Sequence, residues 1–113
     1  MEFKVIEGGI CAAKGFKANG VYCGIKRPAN DTPNAKHKND ICIFVSDVVC
    51  NTAAVYTQNK VKGAPILVTK ANLEKSGNKA IAVIANSKNA NTCNADGVEK
   101  AEMMCEMLAN KLN

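Results

Sequence analysis

Apolar residues along this chain fall into short blocks, and the spacing inside each block sets the element it predicts. Val98, Ala101, Cys105, Leu108 and Leu112 recur at three- and four-residue steps, with Met104 and Ala109 widening the stripe. That period predicts an amphipathic helix over Gly97–Leu112. Asp96, followed three residues later by Glu99, reads as an N-cap with a capping box, and Lys111 suits the dipole of the last turn. Two blocks show no polar alternation: ICIFV at 41–45 and AIAVIA at 80–85. Runs this short and this apolar predict strands covered on both faces.

The other blocks are weaker. Residues 15–26 alternate around Val21, Cys23 and Ile25, which predicts a half-buried strand. Residues 3–6 predict a short edge strand that Gly8 and Gly9 end. Asp47 and Asn51 break the strand at 41–45, and TAAVYT at 52–57 is expected to pair back beside it. Residues 66–69 read as a strand running into a helical turn at 70–75, with a helix started by Pro65 as the alternative. Ser76, Gly77 and Asn78 turn the chain into the strand at 80–85. Residues 27–39, with two prolines and no apolar period, predict an exposed connection.

Between the last strand and the last helix lies NSKNANTCN at 86–94. Asparagine tolerates left-handed backbone angles and its amide bonds neighbouring main chain, so this run predicts a tight, self-bonded loop. Loops at the C-terminal end of a strand, leading into a helix, often carry binding sites. Composition alone favours a turn that satisfies only its own main chain.

The chain has 113 residues, 47% of them hydrophobic, enough for one domain (residues 1–113) and neither disordered nor fibrous. No apolar run approaches the ~20 residues of a membrane span. The segment MEFKVIEGG lacks a signal-peptide layout, so a cytoplasmic location is expected. The net charge of +5 comes from basic residues spread along the chain, the pattern of a solvated face. A nucleic-acid groove would need clustered base with interleaved aromatics, and the chain has three Phe and two Tyr, so no nucleic-acid partner is expected. Six cysteines show no C-x-x-C spacing and His37 stands alone, so no metal pattern exists. Cys23, Cys42 and Cys105 are expected on apolar faces as reduced, structural thiols. A cysteine nucleophile would need a nearby base that the sequence does not place.

Area then bounds the architecture. Five strands at ~4.8 Å spacing and ~18 Å length present about 430 Å² per face. One helix of the predicted length covers roughly 240 Å². One helix cannot cover even one face, yet two strands read as buried on both. The last helix also ends without a Gly or Pro stop signal, so the chain is expected to be part of a longer protein.

Several linked motifs carry a resemblance. They are Gly15–Lys17 with Gly20 and Val21, DICIFVSD at 40–47, AAVYTQNKVKGAP at 53–65, and ANSKNANTC at 85–93 followed by DGVE at 96–99. In this order they resemble the bifunctional ornithine acetyltransferase (glutamate N-acetyltransferase) family of arginine biosynthesis, from about Gly15 to Leu112. The resemblance implies an α/β fold of the α+β type, a layered sheet-and-helix sandwich of the DmpA/ornithine-acetyltransferase-like kind, with the N-terminal part of the α chain present here. It implies acetyl transfer from N-acetylornithine to glutamate, with acetyl-CoA as a co-substrate in some members and no bound cofactor. It implies a precursor that cuts itself before a threonine, which becomes the nucleophile, and a Thr-Gly oxyanion hole. Both lie beyond the residues present. The expected partners are the remainder of the α chain and the β chain, in a hetero-oligomer, with no membrane partner.

No catalytic, substrate-binding or metal residue is therefore assigned. Thr52, Thr57, Thr69 and Thr92 do not sit in the family's cleavage context. The family loop usually reads N-S-G-N-A-N, and Lys88 takes the glycine place here; connection 27–39 also looks longer than in many members. The competing reading is a small stand-alone α/β binding module without catalysis.

Overall fold

Three antiparallel strands and two helices make up the computed structural model, which describes residues 1–33 and 35–113. Strand β1 spans Phe16–Val21, β2 Ile41–Asn51 and β3 Lys79–Asn86. The sheet order is β1-β2-β3, so the apolar run of β2 lies at the centre. Helix α1 spans Ala64–Lys75 and α2 Gly97–Leu112. The mixed helix and antiparallel-sheet content matches the α+β expectation, and the bounds of α2 match the apolar stripe.

Cross-strand partners share a face, which fixes the two sides of the sheet. Ile41 pairs with Asn86, Ile43 with Ile84 and Val45 with Ala82, and both helices cover this side. The opposite side carries Phe16, Ala18 and Gly20 of β1, Cys42 and Phe44 of β2, and Ile81, Val83 and Ala85 of β3. Among the described residues no helix covers it; Ser46 is buried at its β1 end, while Cys42, Ile81 and Val83 stand exposed. Burial along β3 alternates strictly, and Ile81 and Val83 each keep 44% of their surface exposed. The strands at 41–45 and 80–85 are thus covered on one face, not two. Their two-sided apolar sequence describes a surface that this chain leaves open.

Six other expectations change. The strand expected over 15–26 spans only Phe16–Val21, so Cys23 and Ile25 lie beyond it and Val21 stands exposed. Residues 3–6 form no strand; a 3-10 turn at Gly9–Ala12 follows them, and Phe3 and Val5 stand exposed. Residues 52–57 pair with no strand either, although the Thr52 N–H donates to the Asn78 carbonyl at 2.9 Å. The strand expected at 66–69 and the helical turn after it are one helix. Pro65 sits in its first turn, where a missing N–H costs nothing, and Ala64, Val68 and Leu73 turn inward. Asp47 does not break β2; the strand runs on to Asn51 through a bulge, taking five steps from Val45 to Cys50 while β3 takes two. Asp96 occupies the N-cap of α2 but its side chain makes no capping bond, and its carboxylate pairs instead with Lys100 at 2.5 Å.

The expected turn at 76–78 closes α1. Gly77 and Asn78 have φ of 65° and 59°, and the Asn78 N–H donates to the Leu73 carbonyl at 2.8 Å. This left-handed cap satisfies the last carbonyls and aims the chain into β3. Helix α2 packs mainly on α1 and touches β3.

Candidate functional site

Strand β3 delivers the chain into the asparagine loop, and the loop delivers it to the first turn of α2. The loop builds itself from its own amides. The Asn91 Nδ2 donates to Asn86 Oδ1 at 2.9 Å, the Asn89 Nδ2 to Asn91 Oδ1 at 2.6 Å, and the Thr92 hydroxyl to the Ala90 carbonyl at 3.0 Å. Lys88, Asn91 and Cys93 all have positive φ, of 71°, 53° and 60°. Lys88 adopts the left-handed backbone that glycine takes most easily.

The loop also ties three elements together. The Asn91 carbonyl accepts from the Ala64 N–H at 3.0 Å, fixing the start of α1, and the Asn94 carbonyl accepts from the Gly97 N–H at 3.1 Å, fixing the start of α2. Both contacts are close ones made at a glycine. A Cβ at Gly63 would lie 3.1 Å from the Thr92 hydroxyl oxygen, and one at Gly97 would lie 3.1 Å from the Ala64 Cβ.

In front of the two helix N-termini lies a cavity of about 450 Å³. Asn86, Asn89, Asn91, Asn94, Asp96 and Lys100 supply its polar rim, and Cys23, Ile25, Ile41 and Met104 its apolar wall. Neutral amides and helix N-termini suit a carboxylate-bearing or amide-bearing guest. They supply no nucleophile with a base. The hydrogen bond from Lys100 holds the Asp96 carboxyl below its ordinary value, and the same pair raises the Lys100 ammonium.

Asp40, just ahead of β2, had no role in the sequence. It is 3% exposed, and its carboxylate accepts from the N–H groups of Cys23 at 2.8 Å and Lys26 at 2.9 Å. Its own carbonyl accepts from the Ser87 N–H at 2.8 Å. Burial pushes this carboxyl up, but the Lys26 and Cys23 N–H groups outweigh it and hold it well below the carboxylate range. Asp40 thus anchors residues 23–26 to the start of the asparagine loop. No sequence signal marks it, because its partners are main-chain groups.

The thiols are poorly placed for catalysis. The Asp40 carboxylate beside Cys23 pushes that thiol up, and burial pushes up Cys105. Protonated thiols are weak nucleophiles. Cys23 and Cys42 are exposed, contrary to expectation: Cys42 lies on the open side of the sheet and Cys23 beside the cavity. Cys105 is half-buried under α1, as expected. Among the described residues no Ser, Thr or Cys hydrogen-bonds to a His or Lys base, and no group of His, Cys, Asp and Glu could hold a metal. No helix among them is long and apolar enough to cross a membrane.

The sequence profile of the ArgJ family matches residues 17–113. The chain is 41% identical over 110 residues to the arginine biosynthesis bifunctional protein ArgJ of Streptococcus thermophilus, covering 96% of this chain and 25% of that protein. It superimposes on the crystal structure of the arginine biosynthesis bifunctional protein ArgJ from Bacillus halodurans with a TM-score of 0.80 and 36% identity, over 93% of this chain and 50% of that one. The crystal structure of ornithine acetyltransferase complexed with ornithine from Mycobacterium tuberculosis matches with a TM-score of 0.62 and 32% identity, over 81% and 44%. The chain therefore spans about a quarter of the length of the curated relatives it matches.

Proposed function

The chain belongs to the ArgJ family, and from that premise we propose that it is the N-terminal part of a cytoplasmic acetyltransferase of arginine biosynthesis. In this reading the whole enzyme moves an acetyl group from N-acetylornithine to glutamate, and acetyl-CoA can serve as a second donor. The threonine nucleophile and the Thr-Gly oxyanion hole belong to sequence outside residues 1–113. The partners of this chain are the remainder of the α chain and the β chain released by self-cleavage. Its own share is structural: a three-stranded sheet and two helices that support the rest of the enzyme.

One observation carries the proposal: family similarity runs through residues 17–113, while the sheet those residues build is covered on one side only. A self-sufficient module can leave one sheet face to solvent but makes that face polar, whereas here it carries Phe44, Ile81 and Val83, so the stand-alone reading is the weaker one. The cavity before the two helix N-termini is the part of this chain best suited to face a substrate carboxylate.

Activity provides the test. The intact protein, given N-acetylornithine and glutamate, is expected to form N-acetylglutamate and ornithine, and residues 1–113 alone are expected to form none. Turnover by residues 1–113, abolished by a substitution within them, would overturn the proposal. So would an intact protein with no acetyl exchange.

A further inference from the structure

A second cavity, of about 350 Å³, lies apart from the asparagine cavity and is lined by Lys26, Pro28, Lys36, His37, Lys38 and Lys88. Two separate segments build it. Ile41 pairs with Asn86 at the end of the β2–β3 ladder, so the residues before Ile41 and those after Asn86 run on side by side. The Ser87 N–H bond to the Asp40 carbonyl holds them there. Lys36, His37 and Lys38 therefore face Lys88 across one hollow.

None of its four lysines has a carboxylate within 4.0 Å among the described residues, whereas Lys17, Lys70 and Lys100 each have one. Two acids lie close by in the chain and both are engaged: Asp31 is shared by Arg27 at 2.8 Å and His37 at 2.5 Å, and the Asp40 carboxylate accepts from the main-chain N–H groups of Cys23 and Lys26. The His37 ring is held further by stacking on Tyr22, with ring centroids 4.1 Å apart. Lys26 donates to the Asn39 carbonyl at 2.8 Å, which fixes its ammonium at the rim. Lys88 holds its place with φ of 71°, so a charged side chain stands where the backbone favours glycine. Four like charges around one hollow repel, and a polyanion among them would remove that repulsion.

We infer that this basic hollow binds a small phosphorylated ligand carrying two or more phosphates. Its volume lies at the lower end of small-molecule sites, which run from about 300 to 1,000 Å³. Lysine is a good point-charge donor to phosphate oxygens. Two phosphates supply enough negative charge to offset lysines from both segments at once. A nucleic acid fits less well, since the described lining residues include no Phe, Tyr or Trp on which bases could stack, and the His37 ring is already stacked on Tyr22.

Isothermal titration of the intact protein at low ionic strength tests this with inorganic phosphate, pyrophosphate and ATP as probes. Pyrophosphate and ATP are expected to bind saturably and more tightly than phosphate, and a single-stranded oligonucleotide is expected not to displace them. Lys88→Gly should weaken pyrophosphate about tenfold, the loss of one charge-assisted contact, with a melting temperature unchanged or higher because the left-handed position is relieved. Lys36→Gln with Lys38→Gln, both at exposed positions, should weaken it further without altering the fold. Absence of saturable pyrophosphate binding, or equal affinity in these variants, would overturn the inference. Displacement by the oligonucleotide that strengthens with its length would overturn it in favour of a nucleic-acid surface.

Discussion

Asp40 shows most clearly what a single residue contributes here. One buried carboxylate accepts two main-chain N–H groups from residues 23 and 26, and its carbonyl takes a third from the asparagine loop. Its carboxyl lies below the ordinary 3.8 in the folded chain, because the Lys26 and Cys23 N–H groups overcome the opposing effect of burial. The sign follows directly: stability from this group is fully present above the unfolded value and is lost as pH falls through it toward the folded one. Acid titration of the melting temperature is expected to show a loss below about pH 4 that Asp40→Asn diminishes. An unchanged acid limb in the variant would remove Asp40 as the anchor. None of this was legible in the sequence, where Asp40 was one letter of a motif. Lys88 was legible in part, since it stands where the family loop carries glycine, and its backbone has a φ of 71°.

At the scale of elements, legibility followed periodicity. Helix α2 shows four turns of apolar spacing, and its bounds were read correctly. Helix α1 was not, because Ile66, Leu67 and Val68 are consecutive apolar residues, and three in a row cannot tell a period of 3.6 from one of 2. Only Pro65 at the first turn carried the helical signal. The strands at 3–6 and 52–57 failed for another reason: apolar content alone does not form a strand without a neighbour to accept its hydrogen bonds. The capping box failed because Lys100, one turn along, took the Asp96 carboxylate. Packing between α1 and the sheet can be tested directly. Val68 and Leu73 are the large apolar side chains most deeply buried in this structure. Leu73→Ala is expected to cost about 2–4 kcal/mol in denaturant unfolding of the intact protein. Met107→Ala, at an exposed position of α2, should stay within about 0.5 kcal/mol. Equal costs would mean that the covered face is misplaced.

For the whole molecule, surface area is the informative quantity. A compact monomer of 12.0 kDa exposes about 6,000 Å², and this chain exposes 9254 Å². Its radius of gyration is 16.4 Å, against about 13 Å for a compact chain of this length. Apolar sequence without burial was legible beforehand, since two strands demanded cover that one helix could not give. The structure corrects the details, with three strands and two helices in place of five and one, and leaves the same deficit. Monomers seldom expose contiguous apolar patches beyond a few hundred Å². Residues 1–113 produced alone are therefore expected to self-associate and bind a hydrophobic dye, as sedimentation velocity and dye fluorescence would register. A dye-silent monomer with a cooperative melt would favour the stand-alone module.

We propose that the side of the sheet bearing Cys42, Phe44, Ile81 and Val83 is an interface with the rest of the protein. Cys42 is exposed on that side in this chain, so it reports on that interface without any substitution. Site-resolved thiol labelling of the intact protein, native against urea-unfolded, measures its cover. Labelling of Cys42 is expected to be at least about tenfold slower in the native protein, for a side chain sealed in an interface that opens only rarely. Native labelling of Cys42 as fast as in the unfolded chain would show that this side of the sheet is open in the intact protein.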